Sequence, residues 1–211
     1  MDIRGTFREN PVLAILRNIP AKQAVPYAQA AYEGGIRLFE VAMNSEDGLE
    51  QLRTLRRHFE GLARVGAGTV TTVELAKAAL DAGAMFLLAP SCPLEMLCYC
   101  RDNRIAFLPG VFTPSEAGLC LAHGFDTLKL FPAGDLPLSY VKSLKGPLDG
   151  SEYVAIGGVT PDNAHDFIKA GYLGVGLGSN LFPAEAVKHS DWAKAAERVR
   201  SMCAGLAKPA A

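Results

Sequence analysis

The order of elements along the chain predicts an α/β fold: a single-domain (β/α)8 TIM barrel spanning residues 1–211. Three observations carry this expectation. Eight short apolar runs recur, starting about 20–26 residues apart, which is room for one strand and one helix each. Amphipathic or capped helical stretches separate them. One further helical stretch, residues 191–206, follows the eighth run with no strand left over. Strand–helix repeats of this kind demand a parallel sheet, and eight of them close it into a barrel. A doubly wound open sheet is the alternative that strand counting leaves.

The apolar runs are VLAIL (12–16), RLFEVAM (37–43), ARVGAGT (63–69), MFLLAP (85–90), IAFLPG (105–110), DTLKLF (126–131), EYVAIGG (152–158) and LGVGLG (173–178). Before them, residues 1–10 form a polar N-terminal extension without the apolar core of a signal peptide. Residues 21–34 place Ala24, Tyr27, Ala28 and Ala31 at helical spacing before a Gly-Gly stop. TPSE (113–116) offers Thr113 as N-cap, Pro114 at the first helical position and Glu116 to close a capping box. TTVE (71–74) has the same spacing, and TPDN (160–163) has the Thr-Pro start. PAEAV (183–187) predicts a short extra helix, and residues 191–211 the C-terminal helix and tail.

The composition, 49% hydrophobic and 20% charged, is that of a soluble domain with a large core. A net charge of −1 without Lys/Arg runs argues against nucleic acid or an anionic membrane surface as partner. No apolar run nears the roughly 20 residues of a membrane span. Five cysteines in a chain without a secretory signal predict free thiols and a cytoplasmic location.

A barrel places its functional residues at the C-terminal ends of its strands or just beyond. Read in order, those ends carry Arg17, Glu40 with Asn44, Thr69, Pro90 with Ser91, Gly110, Lys129, Gly157-Gly158 and Gly178-Ser179. Alternation puts Leu38 and Glu40 on one face of their strand, and Thr127, Lys129 and Phe131 on one face of theirs. The opposite faces are apolar, so Glu40, Lys129 and Arg17 point to the barrel axis. Every other lysine falls in a predicted helix or the tail. A desolvated amine has a lowered pKa and can form a Schiff base with a ketone, with Glu40 as general acid/base. A purely structural Lys–Glu pair is the bland alternative, although buried pairs stabilise poorly.

The glycine turns after the seventh and eighth runs predict a phosphate site, because backbone N–H groups at such loops bind anions at this place in barrels. One Gly-Gly pair alone would be ordinary turn chemistry. No metal is expected: His58, His123, His165 and His189 all fall in or beside predicted helices.

With these residues in place the chain resembles the 2-keto-3-deoxy-6-phosphogluconate (KDPG) aldolases and their phosphogalactonate (KDPGal) counterparts. The resemblance runs from VLAILR (12–17) to GLGSNLF (176–182), and is carried by GGIRLFEVAMNS, VGAGTV, LPGVFTPSE, LKLFPA and AIGGVTPDN. It implies a class I pyruvate aldolase, a homotrimer of barrels needing no cofactor. It makes Lys129 the Schiff-base lysine and Glu40 the general acid/base. Thr69 then lies near the pyruvoyl carboxylate and Phe131 lines the site. Gly157, Gly158, Gly178 and Ser179 hold the phosphate. Asn44, within M-N-S, stands where phosphogluconate enzymes commonly carry arginine in L-R-T and the phosphogalactonate branch reads L-N-S. Arg17 would then supply the cation for the substrate carboxylate.

The implied reaction cleaves a 2-keto-3-deoxy-6-phospho sugar acid, of phosphogalactonate or phosphogluconate type, to pyruvate and D-glyceraldehyde 3-phosphate. Two rivals stand beside it: a phosphosugar isomerase or epimerase using Glu40 as base, and a non-catalytic phosphosugar-binding protein.

Overall fold

The computed structural model describes residues 1–206. The tail beyond, part of the expected 191–211 segment, lies outside the described residues. Nine parallel strand segments form a nearly closed barrel: β1 (Val12–Leu16), β2 (Leu38–Ala42), β3 (Arg64–Gly68), β4 (Leu87–Leu88), β5 (Phe107–Leu108), β6 (Gly110–Val111), β7 (Thr127–Leu130), β8 (Glu152–Ile156) and β9 (Gly174–Leu177). They fall within the eight apolar runs, or one residue past them in the fifth. That run is split, because Pro109 has no N–H to give the ladder. Its first half, β5, pairs with β4, and its second, β6, pairs with β7. The Pro109 carbonyl still accepts from the Lys129 backbone at 2.9 Å, so the sheet carries on around the ring.

The helices are α1 (Ile3–Glu9), α2 (Ala21–Glu33), α3 (Gly48–His58), α4 (Val73–Asp81), α5 (Leu94–Asp102), α6 (Pro114–Ala122), α7 (Tyr140–Lys145), α8 (Ala164–Ala170), α9 (Ala184–Lys188) and α10 (Trp192–Leu206). They produce two apolar shells. The outer one, with Phe39, Val41, Leu128 and Leu130, packs sheet against helices. The inner one fills the barrel with Leu13, Ile15, Leu38, Leu88, Leu108, Val154 and Ile156. This is the alternation expected of strands buried on both faces.

Three expectations change in detail. The N-terminal segment is no loose extension: α1, capped by the Asp2 side chain, drives Phe7 into the inner shell. Arg4 then ties it to the start of β7 through the Asp126 carbonyl at 3.0 Å and carboxylate at 3.1 Å. With Ile3 and Phe7 as its only large apolar residues, a seven-residue helix has too short a periodicity to read. The N-cap of α4 is Thr72, which accepts from Leu75 N at 3.2 Å, so TTVE closes no capping box. TPDN makes the reciprocal capping bonds, Asn163 N to Thr160 Oγ1 at 3.3 Å and Thr160 N to Asn163 Oδ1 at 2.8 Å, but residues 161–163 form a turn and α8 starts only after Asn163. TPSE, by contrast, forms the full capping box.

The five cysteines are free, with Cys100 and Cys120 buried and Cys92, Cys98 and Cys203 half-buried. Among the described residues no helix is long and apolar enough to cross a membrane.

Candidate active site

The ten candidate residues lie at or just below the rim of six consecutive strands. In spatial order the strands run β7, β8, β9, β1, β2 and β3. They carry Lys129 and Phe131, then Gly157-Gly158, then Gly178-Ser179, then Arg17, then Glu40 with Asn44, then Thr69. Residues far apart in sequence become neighbours because parallel strands align their C-terminal ends.

Lys129 and Glu40 are the deepest charged side chains of this set, 1% and 0% exposed. Register explains the depth. Glu40 pairs across with Ile15 and Gly66, and Lys129 with Gly110 and Val154, one layer below the rim. Glu40 has its room because the neighbouring position 68 has no side chain: a Cβ on Gly68 would lie 1.5 Å from Glu40 Oε1. Neither Glu40 oxygen has a hydrogen-bond partner, so the two groups do not form a hydrogen-bonded ion pair. The Lys129 ammonium instead sits 4.9 Å from the centroid of the Phe131 ring.

Burial governs the protonation of both. Desolvation raises the Glu40 pKa from the ordinary carboxylate value, opposed by the smaller attractions of Lys129 and Arg17. Desolvation lowers the Lys129 pKa, opposed by Glu40 and reinforced by Arg17. Each group is pushed towards its neutral form: an amine that can attack, beside a carboxyl able to hold a proton.

A cavity of about 680 Å3 opens at this end of the barrel, lined by Arg17, Phe131, Gly157, Gly158, Gly178 and Ser179 among others, though not by Lys129 or Glu40 themselves. Phe131 links the levels, since it lines the cavity and lies against the lysine. Gly157 and Gly158 both have positive φ, 87° and 75°, and a Cβ on Gly158 would sit 2.8 Å from the Gly134 Cα. Only glycine meets both demands at this turn.

The remaining candidates stand at the edge of this arrangement. Thr69 holds a φ of 59°, rare for a β-branched residue, and its hydroxyl accepts from Arg17 Nη2 at 3.3 Å. Asn44 is exposed in the turn after β2 and does not line the cavity. Four polar lining residues escaped the sequence reading: Asn18, Tyr27, Asn180 and Lys188. Asn18 and Asn180 each follow a recognised rim residue by one position. Tyr27 reaches in from α2, with its hydroxyl 3.4 Å from the Gly178 carbonyl. Lys188 comes from α9, beyond the reach of strand parity. The four histidines stay on or beside helices, as expected.

Comparison with known proteins points one way. The family model for KDPG and KHG aldolases matches residues 3–198. The 2-dehydro-3-deoxy-phosphogluconate aldolase of Pseudoalteromonas atlantica is 31% identical over 205 residues, covering 97% of this chain and 95% of that one. The 2-dehydro-3-deoxy-6-phosphogalactonate aldolase of Escherichia coli is 33% identical over 175 residues, with 82% and 85% covered. Among solved structures, a KDPG aldolase of Legionella pneumophila superposes with a TM-score of 0.87 at 27% identity, covering 96% of this chain and 98% of that one. That structure holds pyruvate captured as a covalent carbinolamine intermediate.

Proposed function

The chain belongs to the KDPG and KHG aldolase family, and from that premise we propose that it cleaves a 2-keto-3-deoxy-6-phospho sugar acid to pyruvate and D-glyceraldehyde 3-phosphate through a Schiff base on Lys129. The observation that carries this reading is the buried, desolvated Lys129 beside a partnerless Glu40, at the barrel end where a cavity rimmed by glycine turns opens.

Lys129 as free amine attacks the C2 ketone, and loss of water gives an iminium. Glu40, directly or through water, takes the proton of the C4 hydroxyl. The C3–C4 bond then breaks, its electron pair flows into the iminium, and glyceraldehyde 3-phosphate leaves. The resulting enamine is protonated at C3 with help from Glu40. Water hydrolyses the new iminium and pyruvate departs. Arg17, steadied by Thr69, faces the substrate carboxylate. Gly157, Gly158, Gly178 and Ser179 receive the phosphate, Phe131 walls the reacting carbons, and Asn44 stands at the rim beside the carboxylate end. The same reading carries assembly as a homotrimer, which sedimentation equilibrium tests.

Pyruvate with borohydride should fix one adduct on the peptide bearing Lys129, and Lys129→Ala should abolish both adduct and cleavage. An adduct on another lysine sinks the mechanism. Absence of any adduct, with phosphosugar isomerisation in its place, favours the isomerase reading.

A further inference from the structure

The charge of the cavity wall extends the reading to a residue outside the strand ends. The described lining contains two cations, Arg17 and Lys188, and no carboxylate; the rest is apolar or neutral, with Ile15, Ile19, Ile156 and Val159 among it. A cavity so lined repels cations and suits a ligand with two separated anionic groups. The two cations are not equivalent. Arg17 follows β1, whose Ile15 pairs with Glu40, and acts electrostatically on both Glu40 and Lys129, whereas Lys188 ends α9, beyond the Gly178-Ser179 turn, so Arg17 is the cation of the reacting end. Lys188 also belongs to none of the ion pairs formed among the described residues. The carboxylate one turn earlier on α9, Glu185, is engaged by His189 at 3.2 Å. α9 follows the Gly178-Ser179 turn by a few residues, and so sets its lysine beside the glycine loops.

Given the aldolase reading, on which it rests, we propose that Lys188 is the cation of the distal subsite, where it pairs with the substrate's phosphate dianion and makes the enzyme selective for phosphorylated substrates. The glycine turns supply neutral N–H donors, and Lys188 supplies the opposite charge that they lack. Arg17 is left for the carboxylate at the other end. Lysine suits the task as a flexible point charge that tolerates some freedom in the phosphate.

The test compares wild type, Lys188→Met and Lys188→Arg on a 6-phosphorylated 2-keto-3-deoxy acid and its unphosphorylated counterpart, with inorganic phosphate as competing probe. Lys188→Met should raise KM for the phosphorylated substrate and Ki for inorganic phosphate roughly 10–100-fold, the worth of one charge-assisted hydrogen bond. The unphosphorylated substrate should lose far less, and Lys188→Arg should restore most of the selectivity. Equal losses on both substrates, or an unchanged phosphate Ki, overturn the assignment. The aldolase reading is judged separately by the pyruvate–borohydride adduct of the wild type, which involves no phosphate. With that adduct on Lys129 and no change at Lys188→Met, only the present proposal falls.

Discussion

Glu40 occupies the space that a side chain on Gly68 would need: a Cβ there would come within 1.5 Å of Oε1 and 2.1 Å of the carboxyl carbon. The two positions belong to adjacent strands, β2 and β3, and face the same interior. A glycine at the end of β3 therefore gives the carboxyl its position. Gly68→Ala should displace Glu40 and lower turnover about 10²-fold, the usual loss for a misplaced catalytic group. Pyruvate trapping on Lys129 should persist, because that step needs the amine. Turnover measured alongside trapping decides the matter, and an unimpaired Gly68→Ala would show that Glu40 has no positional role.

Glu40 itself should set activity against stability. Glu40→Gln keeps the shape but cannot take a proton, so turnover should fall roughly 10²–10⁴-fold. Breaking a hydrogen-bonded buried pair would destabilise strongly, but no side chain or backbone group among the described residues bonds to the Glu40 carboxyl, so relief of its desolvation sets the sign. The gain should appear as a higher Tm of the variant at neutral pH. The sign with pH follows from the raised folded pKa. Such a carboxyl stabilises the fold below its unfolded value, 4.5, and that contribution is lost as pH rises through the folded value. The advantage of glutamine should therefore be present at neutral pH and vanish below 4.5. Thermal melts of both proteins across this range would expose an error as a lower Tm in the variant at pH 7.

The pH profile of adduct formation offers an independent check on Lys129. Burial and Arg17 lower its pKa while Glu40 raises it. Arg17→Met should move the rise in borohydride trapping to higher pH, and Glu40→Gln should move it to lower pH. Both shifts in one direction would mean that the amine is tuned by something other than these neighbours.

How much of this could be read before the structure was known differed by element, for physical reasons. Lys129 and Glu40 were legible because a charged residue on the inner face of an apolar strand stands out against a period of two. Rim glycines were legible because turns after strands have a strong local chemistry. Lys188 and Tyr27 obey no such period: they reach the cavity from helices, and tertiary packing alone brings them there. Thr71 and Thr72 share the same capping logic, so the capping-box spacing of TTVE put the start of α4 one residue early. The Thr-Pro signal at Thr160 located the capping hydrogen bonds but not the helix start, since Thr160 and Asn163 bond reciprocally while residues 161–163 form a turn and α8 begins at Ala164. The seven-residue α1, with Phe7 inside the barrel, gave too short a pattern to separate a plug from a polar arm.

The choice between C4 epimers turns on Asn44 and Arg17. The two candidate substrates differ only at the carbon whose hydroxyl must lose its proton, so discrimination depends on how firmly the carboxylate end is anchored. Arg17 provides one cation there, hydrogen-bonded to Thr69 at 3.3 Å. Asn44 is exposed in the turn after β2 and adds no charge. Asparagine offers a neutral donor and acceptor, where arginine would offer a rigid cationic fork on a longer stem. A less rigid anchor should let the enzyme cleave the galactonate epimer well and tolerate the gluconate epimer. Asn44→Arg should then shift the ratio of kcat/KM values towards the gluconate epimer by about 1–3 kcal/mol, the value of one added charge-assisted hydrogen bond. Arginine at this position must reach inward from the turn to act, so an unchanged ratio would place the discriminating contacts on the cavity-lining residues Asn18 and Asn180 instead. A wild type strictly specific for the gluconate epimer would remove Asn44 from the account of specificity altogether.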